Sequence, residues 1–176
     1  ASEIFSLTVI TVDNPPIALA QFVDLDEDTS LNIVLTGTDP ENQPLIVIIE
    51  SLPTNGILEL SDTPVTAADL PFTLPADMVT YQPANDYVGS DSFDFYVNDS
   101  NLDSQLASVS LKIDPINDAP SALGQTVNTG EETPISIVLQ ASDAEGDALT
   151  FALMTLPRGG TLTDANGDPV LPEQTL

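Results

Sequence analysis

Carboxylates are the one class of side chain in this sequence abundant and clustered enough to do chemistry. Of 176 residues, 28 are Asp or Glu, two are Lys or Arg (Lys112 and Arg158), and none is His or Cys. The acids gather in short runs. Asp24, Asp26, Glu27 and Asp28 form one. Asp86 and Asp91 fall in ANDYVGSDS, and Asp114, Asn117 and Asp118 in DPINDAP. Asp143, Glu145 and Asp147 fall in DAEGD. Without His or Cys the usual zinc and iron ligands are missing, and only oxygen donors remain. Those suit a hard cation such as calcium, which takes about six to eight oxygens in irregular geometry. Two explanations stay open for any single acid. It can solvate the surface or cap a turn, as Asp and Asn commonly do, or it can bind metal. Four clusters meeting at one place favour metal, because so many uncompensated carboxylates would repel each other.

Other chemistry is excluded or disfavoured. No Cys means no disulfide framework and no thiolate nucleophile. No nucleophile has a base beside it. Paired carboxylates can hydrolyse glycosides, but these acids recur with an internal repeat, and a repeat need not carry an active site. The chain is therefore expected not to be an enzyme. A net charge of −26 offers no positive surface to nucleic acid or anionic membrane. No apolar run approaches the roughly 20 residues that span a bilayer as a helix.

The elements that must position the acids follow from that repeat. Shifting the chain on itself by 104 residues aligns residues 16–58 with 120–162, with 17 of 43 pairs identical. SLPTNGIL faces TLPRGGTL, and VDNPP (12–16) faces INDAP (116–120). Phe5, Leu7 and Val9 fall on Val109, Leu111 and Ile113. Three pieces result. Residues 1–11 are expected to be the last strand of a preceding repeat, 12–114 a complete repeat, and 115–176 the first half of the next, cut from a longer protein.

Within 12–114, apolar residues alternate with polar ones, the two-residue period of half-buried strands. Strands are expected at 17–23, 30–38, 44–50, 56–60, 78–82, 92–98 and 105–113, separated by Gly, Pro, Asn and Asp clusters. Seven short strands in about 100 residues predict an all-β, two-sheet sandwich. Ile33, Leu35, Val47, Phe93, Phe95, Val109 and Leu111 are the expected core, with Tyr81 and Tyr87 as core or corner aromatics. The proline-rich stretch 63–78 is the longest loop, with room for a turn of helix. In the usual sandwich course, the loops after the first and fifth strands and the exit linker share one end. The linker Asp114–Pro120 is short, so the next repeat's DAEGD loop is expected to meet that end.

DPINDAP resembles the inter-repeat linker of cadherins. The DEDT opening, the D-x-E-G-D-x-L loop and the VTYQPANDYVGSDSFDFYVND segment resemble the cadherin-like and Ig-like repeats of large secreted bacterial adhesins, many of the RTX type. The resemblance covers essentially the whole chain. It implies tandem Greek-key sandwiches and a calcium-stiffened spacer or adhesion repeat, secreted or at the cell surface, with neighbouring repeats as its partners. It also implies metal ligands at Glu27, Asp91, Asp114, Asn117, Asp118, Asp143 and Glu145. At the upstream linker the pattern is weaker, since Ile10 stands at the place of Asp114 and Gln43 at that of Asp147. Two other functions stay open: a module that itself recognises a glycan or protein, and a filament subunit that lends a strand to its neighbour.

Overall fold

The computed structural model describes residues 12–173, so the strand expected at 1–11 lies outside the described residues. The chain divides into two compact units between Ile116 and Asn117.

In the first unit, alternation becomes two sheets. The strands are β1 (Ile17–Ala18), β2 (Gln21–Asp26), β3 (Leu31–Val34), β4 (Gly37–Thr38), β5 (Ile46–Ile49), β6 (Gly56–Leu60), β7 (Thr63–Pro64), β8 (Phe72–Thr73), β9 (Met78–Pro83), β10 (Gly89–Asn98) and β11 (Ala107–Asp114). One sheet has the order β2-β11-β10-β5-β8 and the other β3-β9-β6-β7, while β1 and β4 form a separate small pair. Among the described residues, all strand contacts are antiparallel except β2 with β11, which run parallel with Asp26 opposite Asp114. That one parallel contact places the acidic turn after β2 beside the exit linker after β11.

The core lies between the sheets and follows the predicted phase. Along β10, Phe93, Phe95 and Val97 point inward, and along β11 Val109, Leu111 and Ile113 do the same. Ile33, Leu35 and Val47 join them, as does Tyr81, which is 0% exposed. Burying each such side chain stabilises the fold by about 1.5–3 kcal/mol. The outward positions Ser92, Ser108, Ser110 and Lys112 are exposed.

The details depart from expectation at three places. The strand expected at 17–23 breaks at Leu19–Ala20, because β1 pairs with β4 and β2 pairs with β11. The one expected at 30–38 breaks at Leu35–Thr36 for the same reason. Residues 63–78 contain no helical turn. They carry the short edge strands β7 and β8 and a tight turn in which Asp69 Oδ2 accepts from the Thr66 amide and hydroxyl at 2.8 and 2.6 Å.

The second unit is sparse by comparison. Its strands are β12 (Ser121–Ala122) and β13 (Ala141–Ser142), paired with each other. Ile137 and Leu139, the repeat partners of buried Ile33 and Leu35, are 41% and 36% exposed. The reason is physical: among the described residues of this unit, no strands like β9 to β11 face them.

Candidate functional site

The exit end of the first unit is built on the turn after β2. Thr29 Oγ1 donates to the Asp26 carbonyl at 2.6 Å and closes it. Asp28 takes a left-handed φ of 56°, which Asp tolerates better than most side chains. Asp86, also left-handed at 55°, donates its amide to Asp28 Oδ1 at 3.3 Å. Glu27 is the central residue. It is 1% exposed. Its amide donates to the Asp114 carbonyl at 2.9 Å, continuing the β2–β11 ladder. Its Oε1 accepts the Ile116 amide at 2.9 Å. A buried charge survives only when paired or hydrogen-bonded, and here it holds the linker backbone. Asp114 is half-exposed, and its Oδ1 meets Lys112 Nζ at 2.6 Å. That pairing raises the Lys112 pKa above its ordinary value, the hydrogen bond to Asp114 being the main cause.

Asp91 differs from the other acids. It sits on the inward phase of β10, ahead of Phe93, and is 9% exposed. Its Oδ1 accepts the amides of Thr54 and Ser92, each at 2.9 Å. Its Oδ2 accepts the Asn55 amide at 2.9 Å and the Tyr81 hydroxyl at 3.0 Å. Four donors within the unit meet its two oxygens, which gives Asp91 a structural role in the fold. Tyr81 was legible as a core aromatic but not as the partner of Asp91. Tyr87, the corner aromatic, donates its hydroxyl to the Ser90 carbonyl at 2.8 Å.

In the second unit, the remaining expected ligands form a local network. The Asp118 amide donates to Glu145 Oε2 at 3.2 Å. Asn117 Nδ2 donates to the Asp118 carbonyl at 3.0 Å. Asp143 Oδ1 accepts the Asp147 amide at 2.9 Å across the DAEGD turn, where Gly146 has a φ of 75°. Asp118 and Glu145 thus approach each other within one unit, with Asp143 bracing the same DAEGD turn, while in the other the Glu27 amide meets the Asp114 carbonyl. Every side-chain donor of both groups is a carboxylate or amide oxygen, the chemistry that calcium accepts.

A two-sheet sandwich of short strands, repeated in part at an offset of 104 residues, defines a repeat domain of the Ig-like sandwich class. A family model described as a bacterial Ig domain matches residues 13–112 and again residues 117–172, and the chain belongs to that family. Among curated proteins, it is 31% identical over 147 residues to integrin beta-like protein A of Dictyostelium discoideum, covering 80% of this chain and 8% of that protein. It is 27% identical over 188 residues to the extracellular matrix organizing protein FRAS1 of Mus musculus, covering 92% of this chain and 5% of that protein. The chain thus spans less than a tenth of the length of these relatives. Among solved structures, it is similar to human mucin-like protocadherin EC1-2, with a TM-score of 0.42 and 16% identity over 82% of this chain and 69% of that one.

Proposed function

We propose that this chain is a structural spacer of a large extracellular or cell-surface protein, whose consecutive repeats are stiffened by calcium. The observation that carries this reading is Glu27. A fully buried carboxylate grips the backbone of the exit linker at Ile116, one residue before the acidic stretch Asn117–Asp118. Nothing about sheet packing requires an acid there, whereas a device that fixes the linker does. The residues proposed to meet calcium are Glu27 and Asp114 in the first unit and Asn117, Asp118, Asp143 and Glu145 in the second. In this reading the protein is not an enzyme, its partners are neighbouring repeats, and any adhesion ligand belongs to other parts of the whole protein. The names of the relatives, one integrin-like and one organising extracellular matrix, support the location.

Thermal melting in millimolar calcium and in chelator tests the proposal. One ion at about 100 times its dissociation constant adds about 2.7 kcal/mol to the folded state, a shift of several degrees for a unit of this size. Asp118→Ala should remove most of that shift. Asp62→Ala, in the exposed turn between β6 and β7, should leave it intact. An equal melting temperature with and without calcium would reduce the acids to solvating charge.

A further inference from the structure

The entry end of the first unit carries the counterpart, 104 residues earlier, of the second unit's acidic network. Asp13 and Asn14 stand where Asn117 and Asp118 stand, and Asp39, Glu41 and Gln43 where Asp143, Glu145 and Asp147 stand. Two backbone contacts are the same in both units. The amides of Asn14 and Asp118 each donate to Oε2 of the equivalent Glu at 3.2 Å. The amides of Gln43 and Asp147 each donate to Oδ1 of the equivalent Asp, at 2.7 and 2.9 Å.

The side chains differ in where the amides stand. In the first unit Asn14 Nδ2 donates to Glu41 Oε1 at 2.7 Å, and Gln43 Nε2 donates to Asp13 Oδ1 at 2.6 Å. These contacts tie the linker segment 13–14 to the loop 39–43. At the same two places the second unit has the carboxylates of Asp118 and Asp147, which have no hydrogen to give when ionised. At these two places an amide stands where the second unit has an acid, and each amide meets a carboxylate; the reverse holds at Asp13, which stands where the second unit has Asn117.

We infer that Asn14 and Gln43 make the entry end a hydrogen-bonded latch that closes without a cation. Neutral donors supply there the compensation that the more acidic second-unit version of the same loops would take from a metal. The comparison with a metal-dependent version rests on the calcium reading, but the latch itself does not. Charge-assisted hydrogen bonds of this length are the stronger kind. One latch oxygen, the buried Asp39 Oδ2, has no donor among the described residues, and a single water molecule is enough to serve it.

Hydrogen exchange at the backbone amides of Asn14, Glu41 and Gln43, followed in the whole 176-residue chain, tests this. In the native sequence, protection at these amides should agree within about twofold between millimolar calcium and chelator. In the double variant Asn14→Asp with Gln43→Asp, protection in chelator should fall by about tenfold or more and recover when calcium is added. A tenfold loss on chelation in the native sequence overturns the latch, since a cation would then be holding it. The amides of Asp118 and Asp147 report separately on the calcium reading. Should those amides ignore calcium, that reading fails, and the double variant alone decides the latch. Lost protection, with or without calcium, then supports the amide donors. Unchanged protection overturns them.

Discussion

Replacing Asp91 by Ala should destabilise the first unit by about 2–6 kcal/mol, equally with and without calcium. The magnitude follows from its four donors. The Tyr81 hydroxyl, on a side chain that is 0% exposed, would be left without a partner. An unsatisfied buried donor costs about 1–3 kcal/mol. The amides of Thr54 and Asn55 would lose a charged acceptor at a partly exposed turn, where water replaces it in part, for about 0.5–1.5 kcal/mol each. The Ser92 amide is adjacent in sequence and adds little. The turn at 53–56 matters because it starts β6, which pairs with β9 from Gly56 opposite Pro83 to Glu59 opposite Thr80. Losing the acceptor therefore loosens the centre of the four-stranded sheet. Urea denaturation followed by far-ultraviolet circular dichroism measures the loss. A loss under about 1 kcal/mol, or one seen only in calcium, would refute the assignment of Asp91 as a structural acceptor and return it to the metal ligands.

Three further outcomes follow from neighbouring groups. Burial, and then the hydrogen bond to Asp91, raises the Tyr81 pKa above its ordinary value. The folded state therefore keeps the phenol proton to higher pH than the unfolded chain. That contribution is complete below about pH 10 and is lost as pH rises from there through the raised folded value. Tyr81→Phe should flatten the alkaline fall in urea midpoint while costing about 1 kcal/mol at neutral pH. Gly56→Ala should cost about 1–3 kcal/mol or more, because a Cβ there would lie 2.5 Å from Tyr81 Cε2 and 2.6 Å from the Gln82 carbonyl oxygen; a melting temperature unchanged by this substitution would disprove the close approach. The Thr66 hydroxyl, and then its amide, hold the Asp69 carboxyl below the ordinary carboxylate range. Its contribution is present above the unfolded value and lost as pH falls through the folded one, so Asp69→Asn should weaken the acid dependence of the 63–73 loop below about pH 4, as read by the exchange of its amides.

The fold was legible where burial alone decides it. β10 and β11 are long and paired on both sides, and each repeats a strict inward phase, so alternation located them and their core residues. The breaks at Leu19–Ala20 and Leu35–Thr36 were not legible, because each depends on which distant strand the chain pairs with next. Ile17 faces Thr38 across β1 and β4, whereas Val23 faces Leu111 across β2 and β11. A run of residues with strand propensity cannot say that it will change partners midway. β7 and β8 are two residues each and exist only because β6 and β5 offer them an open edge.

The acids show the same division between what a residue is and what already holds it. Type and spacing announced a carboxylate at Asp91 and another at Glu27, and nothing in their composition separates them. Phase could have done so for one of them. Asp91, Phe93, Phe95 and Val97 share the inward face of β10, so an acid there had to enter the core and find donors in the fold itself, as it does from Tyr81 and the 54–55 amides. Glu27 follows the end of β2 and has no strand phase to read. Its burial comes from the parallel pairing of β2 with β11, a contact between residues nearly 90 positions apart, which brings the linker amide of Ile116 to its carboxylate. The same logic separates Gln43 from Asp147. The sequence shows that an amide has replaced an acid, but only the 2.6 Å contact with Asp13 shows what the amide does.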